Sequence, residues 1–335
     1  MNNKVSNVFI RIGLPKTGST YFQNYVFPKL NEYGKVIYNN PIFLEMKELI
    51  DDIIKKKISL EDNNVTLFKQ KLNTFLQSNA DKIILCSNEN LSNNGGTIGF
   101  YYEKGIELLH HFIPQAKIIL FLRKHDDWIV SIYKQSILIG NFQTFDQFVY
   151  FDDQKKNNTN TYETGLLPKL NIKKIKYKKF INYLEGFFLK ENIFVFDYDE
   201  FKQDNIKFVN KVTKLICGEQ INLTIEKNKK IYRSLSGFSI IIILFLSKIF
   251  KPFLKSIYYN DSRKLIYSDD FKNNDKNLKK SFYKKFTWVK VRRIFNEYLD
   301  EIVYIDLSLT KKLKKKLKIY KNFFDSDKYD QINFQ

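Results

Sequence analysis

The stretch Gly13-Leu14-Pro15-Lys16-Thr17-Gly18-Ser19-Thr20 has the residue types and spacing of an anion cradle. Two glycines so placed let the backbone curl until several N–H groups converge on one anion, assisted by the positive end of a following helix. Lys16 adds a full charge, and Ser19 and Thr20 add hydroxyl donors. A second set lies at Arg123-Lys124-His125-Asp126-Asp127-Trp128-Ile129-Val130-Ser131. There an arginine fork, with the serine hydroxyl of Ser131 a short way along, can grip a phosphate from two sides. Asp126 or Asp127 would also cap the helix that begins there. A third candidate is Glu89, in Ser87-Asn88-Glu89-Asn90-Leu91-Ser92, a carboxylate able to take a proton from an acceptor hydroxyl. A loop glutamate that merely caps a helix near Leu91 is the other reading of Glu89. His110 and His111 fall in a helical stretch, and His125 directly follows the arginine. Cys86 and Cys217 show no Cys-x-x-Cys or Cys/His ligand spacing, so neither a disulfide framework nor a metal site is expected.

These residues need elements to hold them. Strands are predicted at Asn7–Ile12, Lys35–Tyr38, Lys82–Ser87, Lys117–Leu122 and Ile193–Asp197. Several are continuous apolar runs, such as Ile118-Ile119-Leu120-Phe121-Leu122, the pattern of strands covered on both faces in a parallel sheet. Helical stretches follow at Ser19–Asn31, Pro41–Lys56, Glu61–Ala80, Tyr101–Phe112, Asp126–Ile139 and Phe201–Leu215. The order gives βαβ units and a doubly wound α/β sheet, whose ligands bind at the carboxyl ends of strands. The loops after Ile12, Ser87, Leu122 and Asp197 are therefore the places for chemistry, and they contain the candidates above. Beyond Gly218 the strand signals fade into a basic, mainly helical extension. Residues 1–250 are expected as the α/β domain and 251–335 as the extension, packed on or next to it.

The first loop nearly matches the nucleoside triphosphate motif Gly-x-x-x-x-Gly-Lys-Ser/Thr. Ser19, however, stands where that motif has its lysine, and the lysine comes earlier, at Lys16. Such a loop can cradle one phosphate but is poorly equipped for a magnesium-bound triphosphate. Instead, Pro15-Lys16-Thr17-Gly18-Ser19-Thr20 resembles the 5′-phosphosulfate loop of sulfotransferases that use 3′-phosphoadenosine 5′-phosphosulfate (PAPS). Arg123 with Ser131 resembles their 3′-phosphate site, and Asp126-Asp127-Trp128 followed by Ser131-Ile132-Tyr133 is similar to the bacterial branch. The resemblance covers about residues 5–240 and implies a P-loop-like parallel sheet flanked by helices. It implies that PAPS is the sulfate donor without a metal, and that Lys16 stabilises the leaving group. Pro15, Lys16, Thr17, Gly18, Ser19 and Thr20 would hold the 5′-phosphate. Tyr198, in Phe196-Asp197-Tyr198-Asp199-Glu200-Phe201, would lie against the adenine, a core tyrosine being the other reading. Arg233 or Ser234, in Tyr232-Arg233-Ser234-Leu235-Ser236, would face the cofactor or acceptor. Other members place a catalytic Glu or His near Glu89. The Gly-x-x-Gly-x-Trp-Lys loop of the animal cytosolic members is missing from this sequence.

Charge and composition bound the alternatives. The chain has 335 residues and a net charge of +20; residues 221–335 contain 26 Lys/Arg against 12 Asp/Glu. Such a field favours anionic partners, although the Lys-, Asn- and Ile-rich composition discounts part of it. With 44% hydrophobic and 16% aromatic residues there is ample core, which excludes general disorder. The Lys-rich run Lys311–Lys318 is expected as a solvated helix end. No signal peptide is expected, because Val8-Phe9-Ile10 is short and lies close to Met1. The run Ile240–Leu246 falls short of the ~20 residues of a membrane span and is expected as a buried helix, with shallow membrane contact as the sharper alternative. Together these readings predict a cytoplasmic transferase, peripheral at the inner membrane face through its basic C-terminal part. A cell-surface glycan or glycolipid would be the acceptor, and no nucleic acid a partner. The competing classes are a P-loop kinase or triphosphatase, for which Asp197 is the best magnesium ligand on offer, and a non-enzymatic basic protein binding nucleic acid or acidic glycan.

Overall fold

The computed structural model describes residues 7–34, 36–91, 102–138, 142–150 and 170–221, together with 223, 240, 241, 244, 245, 306–317, 329 and 332–335. Five strands form one parallel sheet: β1 (Asn7–Gly13), β2 (Val36–Tyr38), β3 (Ile83–Ser87), β4 (Lys117–Leu122) and, after a separate two-stranded pair described below, β7 (Ile193–Asp197), in the order β2-β3-β1-β4-β7. β1 is central. From it the chain first winds to one side through β2 and β3, then crosses to β4 on the other, so the switch point lies at the carboxyl end of β1.

Strand residues alternate between two apolar layers. Val8, Ile10, Ile84, Cys86, Ile118, Leu120 and Val195 join the core under α3 (Pro41–Ile54), α4 (Asn63–Ser78), α5 (Glu103–Phe112) and α6 (His125–Leu138). Phe9, Leu85, Ile119, Phe121 and Phe196 join the opposite core. That second core is aromatic: Phe22 lies 4.8 Å from Phe121 and 5.9 Å from Phe208, centroid to centroid. Burial on both faces is why the strands read as unbroken apolar runs.

Some expectations about elements are corrected. The helix expected at Ser19–Asn31 is helical throughout but not uniform: α1 (Ser19–Tyr21) passes into a π-helical turn (Phe22–Val26) and then α2 (Phe27–Glu32). Pro28 has no N–H for a carbonyl one turn back, and its ring crowds that carbonyl, so the preceding turn widens. The helix expected at Phe201–Leu215 is two, α9 (Tyr198–Gln203) and α10 (Asn205–Cys217), because Asp204 accepts hydrogen bonds from Ile206 N and Lys207 N and starts a new helix. The described residues also include α7 (Phe145–Phe148), a separate parallel pair of β5 (Val149–Tyr150) beside β6 (Leu170–Asn171), α8 (Tyr177–Glu185) and α11 (Asp306–Leu317).

The Lys-rich end is solvated as expected at Lys311, Lys312, Lys315 and Lys316, but it is not solvated all round. Leu313 and Leu317 of α11 are buried, Lys314 pairs with Asp126 and Asp127 of α6, and Lys316 pairs with Asp146. Nor is the 240–246 run wholly buried: Ile240 is enclosed and Leu244 packs on the core, while Ile241 and Phe245 are exposed. The expected boundary at residues 250 and 251 lies outside the described residues. Replacing Asp204 by Ala should cost about 1 kcal/mol of stability, seen as a lower urea midpoint with an unchanged m-value.

Candidate functional site

The loop after β1 is built by alternating backbone handedness. Gly13 has φ 118°, Lys16 φ 67° and Gly18 φ 81°. Lys16 is a non-glycine residue in the left-handed region, a conformation that persists only where its surroundings enforce it. The enforcing contacts come from α6 and the turn before it: Trp128 Nε1 donates to Pro15 O at 2.9 Å, and Arg123 Nη1 donates to Lys16 O at 3.3 Å. Within the loop, Thr17 Oγ1 donates to Leu14 O at 2.8 Å. The carbonyls are thus taken up by the protein. Among the described residues, no backbone N–H of Thr17, Gly18, Ser19 or Thr20 donates to a protein acceptor. Four such donors stand on one turn at the head of a helical run, where backbone N–H groups lack partners within the helix.

Arg123 follows β4, next to β1 in the sheet, and its side chain is 16% exposed. Its backbone is fixed from behind by Tyr177, whose hydroxyl donates to Arg123 O at 2.8 Å. Asp127 Oδ1 stands 3.9 Å from Arg123 Nη2. Ser131 lies one helical turn past Asp127 on the same face, half-buried, so it shares the side that meets Arg123. The cradle and the arginine are therefore adjacent.

Tyr198 joins the two. Its Cε2 lies 2.9 Å from where a Cβ on Gly18 would be, its ring packs on Phe201, and Arg123 Cζ sits 5.3 Å from its centroid. Burial raises its phenol above the usual value, with the Arg123 charge opposing. Gly18 is thus required twice, for its positive φ and for the ring against it.

Glu89 opens a short 3₁₀ turn (Glu89–Leu91) after β3. Asn88 N donates to Arg11 O at 3.1 Å, prolonging the β1–β3 pairing by one step. The carboxylate is 23% exposed and forms an ion pair with Arg11 at 3.5 Å. Arg11 was not among the sequence candidates. It is wholly buried; its Nη2 donates to Thr17 Oγ1 at 3.2 Å, and its Cζ lies 4.9 Å from the Phe121 centroid. Burial drives the guanidinium below its ordinary value, and the charges of Glu89 and Tyr38 oppose the shift. The available signal was a lone cation inside the apolar run Val8-Phe9-Ile10-Arg11-Ile12.

The other candidates sit elsewhere. His125 is buried, stacked on Tyr177 at 4.1 Å with Tyr329 at its edge. His110 and His111 belong to the last turn of α5, against Phe187, Phe188 and Phe112. Asp197, proposed as a magnesium ligand, is engaged: its Oδ1 accepts from Asp199 N and from the Tyr329 hydroxyl. Tyr232, Arg233 and Ser234 lie outside the described residues. Among the described residues no group of His, Cys, Asp and Glu could hold a metal ion, and no helix is long and apolar enough to cross a membrane.

Asp127 is the hub of the arginine side, with Lys314 at 2.9 Å and Lys202 at 3.7 Å. Burial pushes its carboxyl up, but the Lys314 hydrogen bond and the charges of Lys202, Lys314 and Arg123 outweigh it and hold it below its usual range. Burial pushes Lys314 down, and Asp127 with Asp126 raises it above its usual value.

A search of solved structures finds a sulfotransferase from Alicyclobacillus acidocaldarius that is 13% identical, with 74% of this chain and 92% of that chain covered and a TM-score of 0.42. No family model and no curated protein matches the chain.

Two outcomes are expected. Gly18→Ala should lose about 1–3 kcal/mol, and more than Gly34→Ala, because Gly34 has φ 74° but open space around it. Paired urea titrations measure the difference. The lowered carboxyl stabilises the α6–α11 contact above its unfolded value and loses that as pH falls through the lowered one; the raised ammonium does so below its unfolded value and loses it as pH rises through the raised one. Protection factors for hydrogen exchange in Asp306–Leu317 should therefore be highest between about pH 4 and 10, and Lys314→Met should flatten that profile.

Proposed function

We propose that the chain transfers a sulfuryl group from PAPS to a hydroxyl or amine of an acceptor. The observation that supports this reading is the nearness of two sets of donors: the N–H groups of Thr17–Thr20 at the end of β1, which reach no protein acceptor among the described residues, and Arg123 at the end of β4, which donates to Lys16 O. A nucleotide with a phosphate at each end suits such a pair, and the fit extends to the chemistry of the donors, which are backbone amides, hydroxyls and cations. PAPS, when bound, supplies an activated sulfate whose departing group is a phosphate.

On this reading the N–H groups of Thr17, Gly18, Ser19 and Thr20, with the Ser19 and Thr20 hydroxyls, hold the 5′-phosphate, and Pro15 shapes the turn. Arg123 and Ser131 hold the 3′-phosphate. Tyr198 lies against the adenine, and Arg233 or Ser234, outside the described residues, is assigned by the resemblance alone to the cofactor or acceptor. Lys16 stabilises the charge that grows on the phosphate oxygen as the sulfur–oxygen bond breaks, in the way preorganised cations act in phosphoryl transfer. Glu89 receives the acceptor proton while the new oxygen–sulfur bond forms. No step needs a metal. The acceptor class that the resemblance implies is a cell-surface glycan or glycolipid. The exposed Ile241 and Phe245 support shallow contact with the inner membrane face in a cytoplasmic protein.

A triphosphatase is less well supported, since Ser19 replaces the motif lysine and Asp197 is occupied as a helix cap. A purely electrostatic nucleic-acid binder is less well supported because Lys314 and Lys316 are spent on carboxylates of the same chain. Adenosine 3′,5′-bisphosphate should raise the melting temperature and Mg-ATP should not. Lys16→Ala should abolish sulfate transfer from labelled PAPS to cell-envelope fractions while the circular dichroism spectrum is unchanged. Stabilisation by ATP alone would sink the reading.

A further inference from the structure

Arg11 stands apart from the residues that would touch donor or acceptor, yet it meets both arms that do. Its side chain has no solvent access. Nη2 donates to Thr17 Oγ1, and the same hydroxyl donates onward to Leu14 O, so the threonine is fixed in the cradle from two directions. Nη1 faces Glu89 Oε1 at 3.5 Å. Nε, Nη1 and Glu89 Oε1 have no hydrogen-bond partner among the described residues, so the Glu89 arm is an ion pair rather than a hydrogen bond. The plane of the group is set by Phe121, which lies on β4 two positions before Arg123. The main chain repeats the tie, since Arg11 O accepts from Asn88 N, the residue before Glu89.

A buried cation is costly to retain, and an apolar residue would fill this place on the aromatic face of the sheet at lower cost. A guanidinium differs from any apolar residue, and from lysine, in being a rigid planar fork that holds two partners at a fixed mutual angle. We propose that Arg11 is a positioning residue for the transfer: through one buried fork it sets the distance and angle between the donor cradle, at Thr17, and the acceptor-side carboxylate, Glu89. This rests on the sulfuryl-transfer reading for its chemistry, and on the described contacts alone for the tie. A misplacement of about 1 Å in a positioned group can cost on the order of a hundredfold in rate.

The test compares the full chain with Arg11→Met, Arg11→Lys, Glu89→Gln and the double variants. With PAPS saturating, Arg11→Met should lower kcat about tenfold or more, by a larger factor than it raises the donor KM. Arg11→Lys should lose less, and Arg11→Met should cost nothing further in the Glu89→Gln background. An equal loss in both backgrounds, a lysine variant no better than methionine, or a raised donor KM with unchanged kcat would overturn the proposal. The same cycle read by urea unfolding needs no activity: non-additive stabilities sustain the tie and additive ones refute it. If the natural chain transferred no sulfate but the unfolding cycle were non-additive, the reaction assigned above would fail and the tie would stand. Should Arg11→Met not fold, Arg11→Lys and its double variant with Glu89→Gln carry the same two comparisons.

Discussion

A full positive charge lies in the dry layer between β1 and the helices that cover it, and the crevice is arranged around that charge. Removing a cation from water costs several kcal/mol even after the surroundings relax. Three neighbours offset this for Arg11: the Glu89 carboxylate, the Thr17 hydroxyl and the face of Phe121. Each comes from a different segment, so meeting one electrostatic demand brings the ends of β1, β3 and β4 into register with one another. The register of the sheet does the rest, pairing Arg11 with Ser87 on one side and with Ile119 on the other.

The cradle shows how local strain is held by distant contacts. A left-handed Lys16 would not persist in a free loop. Here Trp128 of α6 and Arg123 just before it reach the carbonyls of Pro15 and of Lys16 itself. Tyr198 closes the arrangement from β7's end. The ends of four strands are therefore tied together here, by way of Arg11, Glu89, Arg123 and Tyr198.

Much of this was legible in the sequence, for physical reasons. Strands covered on both faces must be apolar throughout, so Ile83–Cys86 and Ile118–Leu122 announced a parallel sheet, and the glycines of the first loop announced a curled backbone. What escaped notice lies where one residue overrides the surrounding pattern. Pro28 sits in a good helical period but widens the turn before it. Asp204 interrupts another period with a cap. Arg11 was masked by its apolar neighbours, because a strand pattern with one charge in it still reads as a strand. The docking of α11 was not legible because the partners of Lys314 and Lys316, which are Asp126, Asp127 and Asp146, are far away in the chain. Of the candidate site, the cradle, Arg123 and Tyr198 were visible as motifs, whereas the contacts that join them depend on tertiary packing alone.

The far side of β7 carries a further consequence. As the outermost strand of the sheet it would present unpaired backbone groups, but Val195 O accepts from Gln335 N, and Tyr329 reaches Asp197 beside it. A bare margin of this kind is a template on which another molecule can add its own strand. Gln335 and Tyr329 thus occupy acceptors on that margin which an added strand would otherwise use.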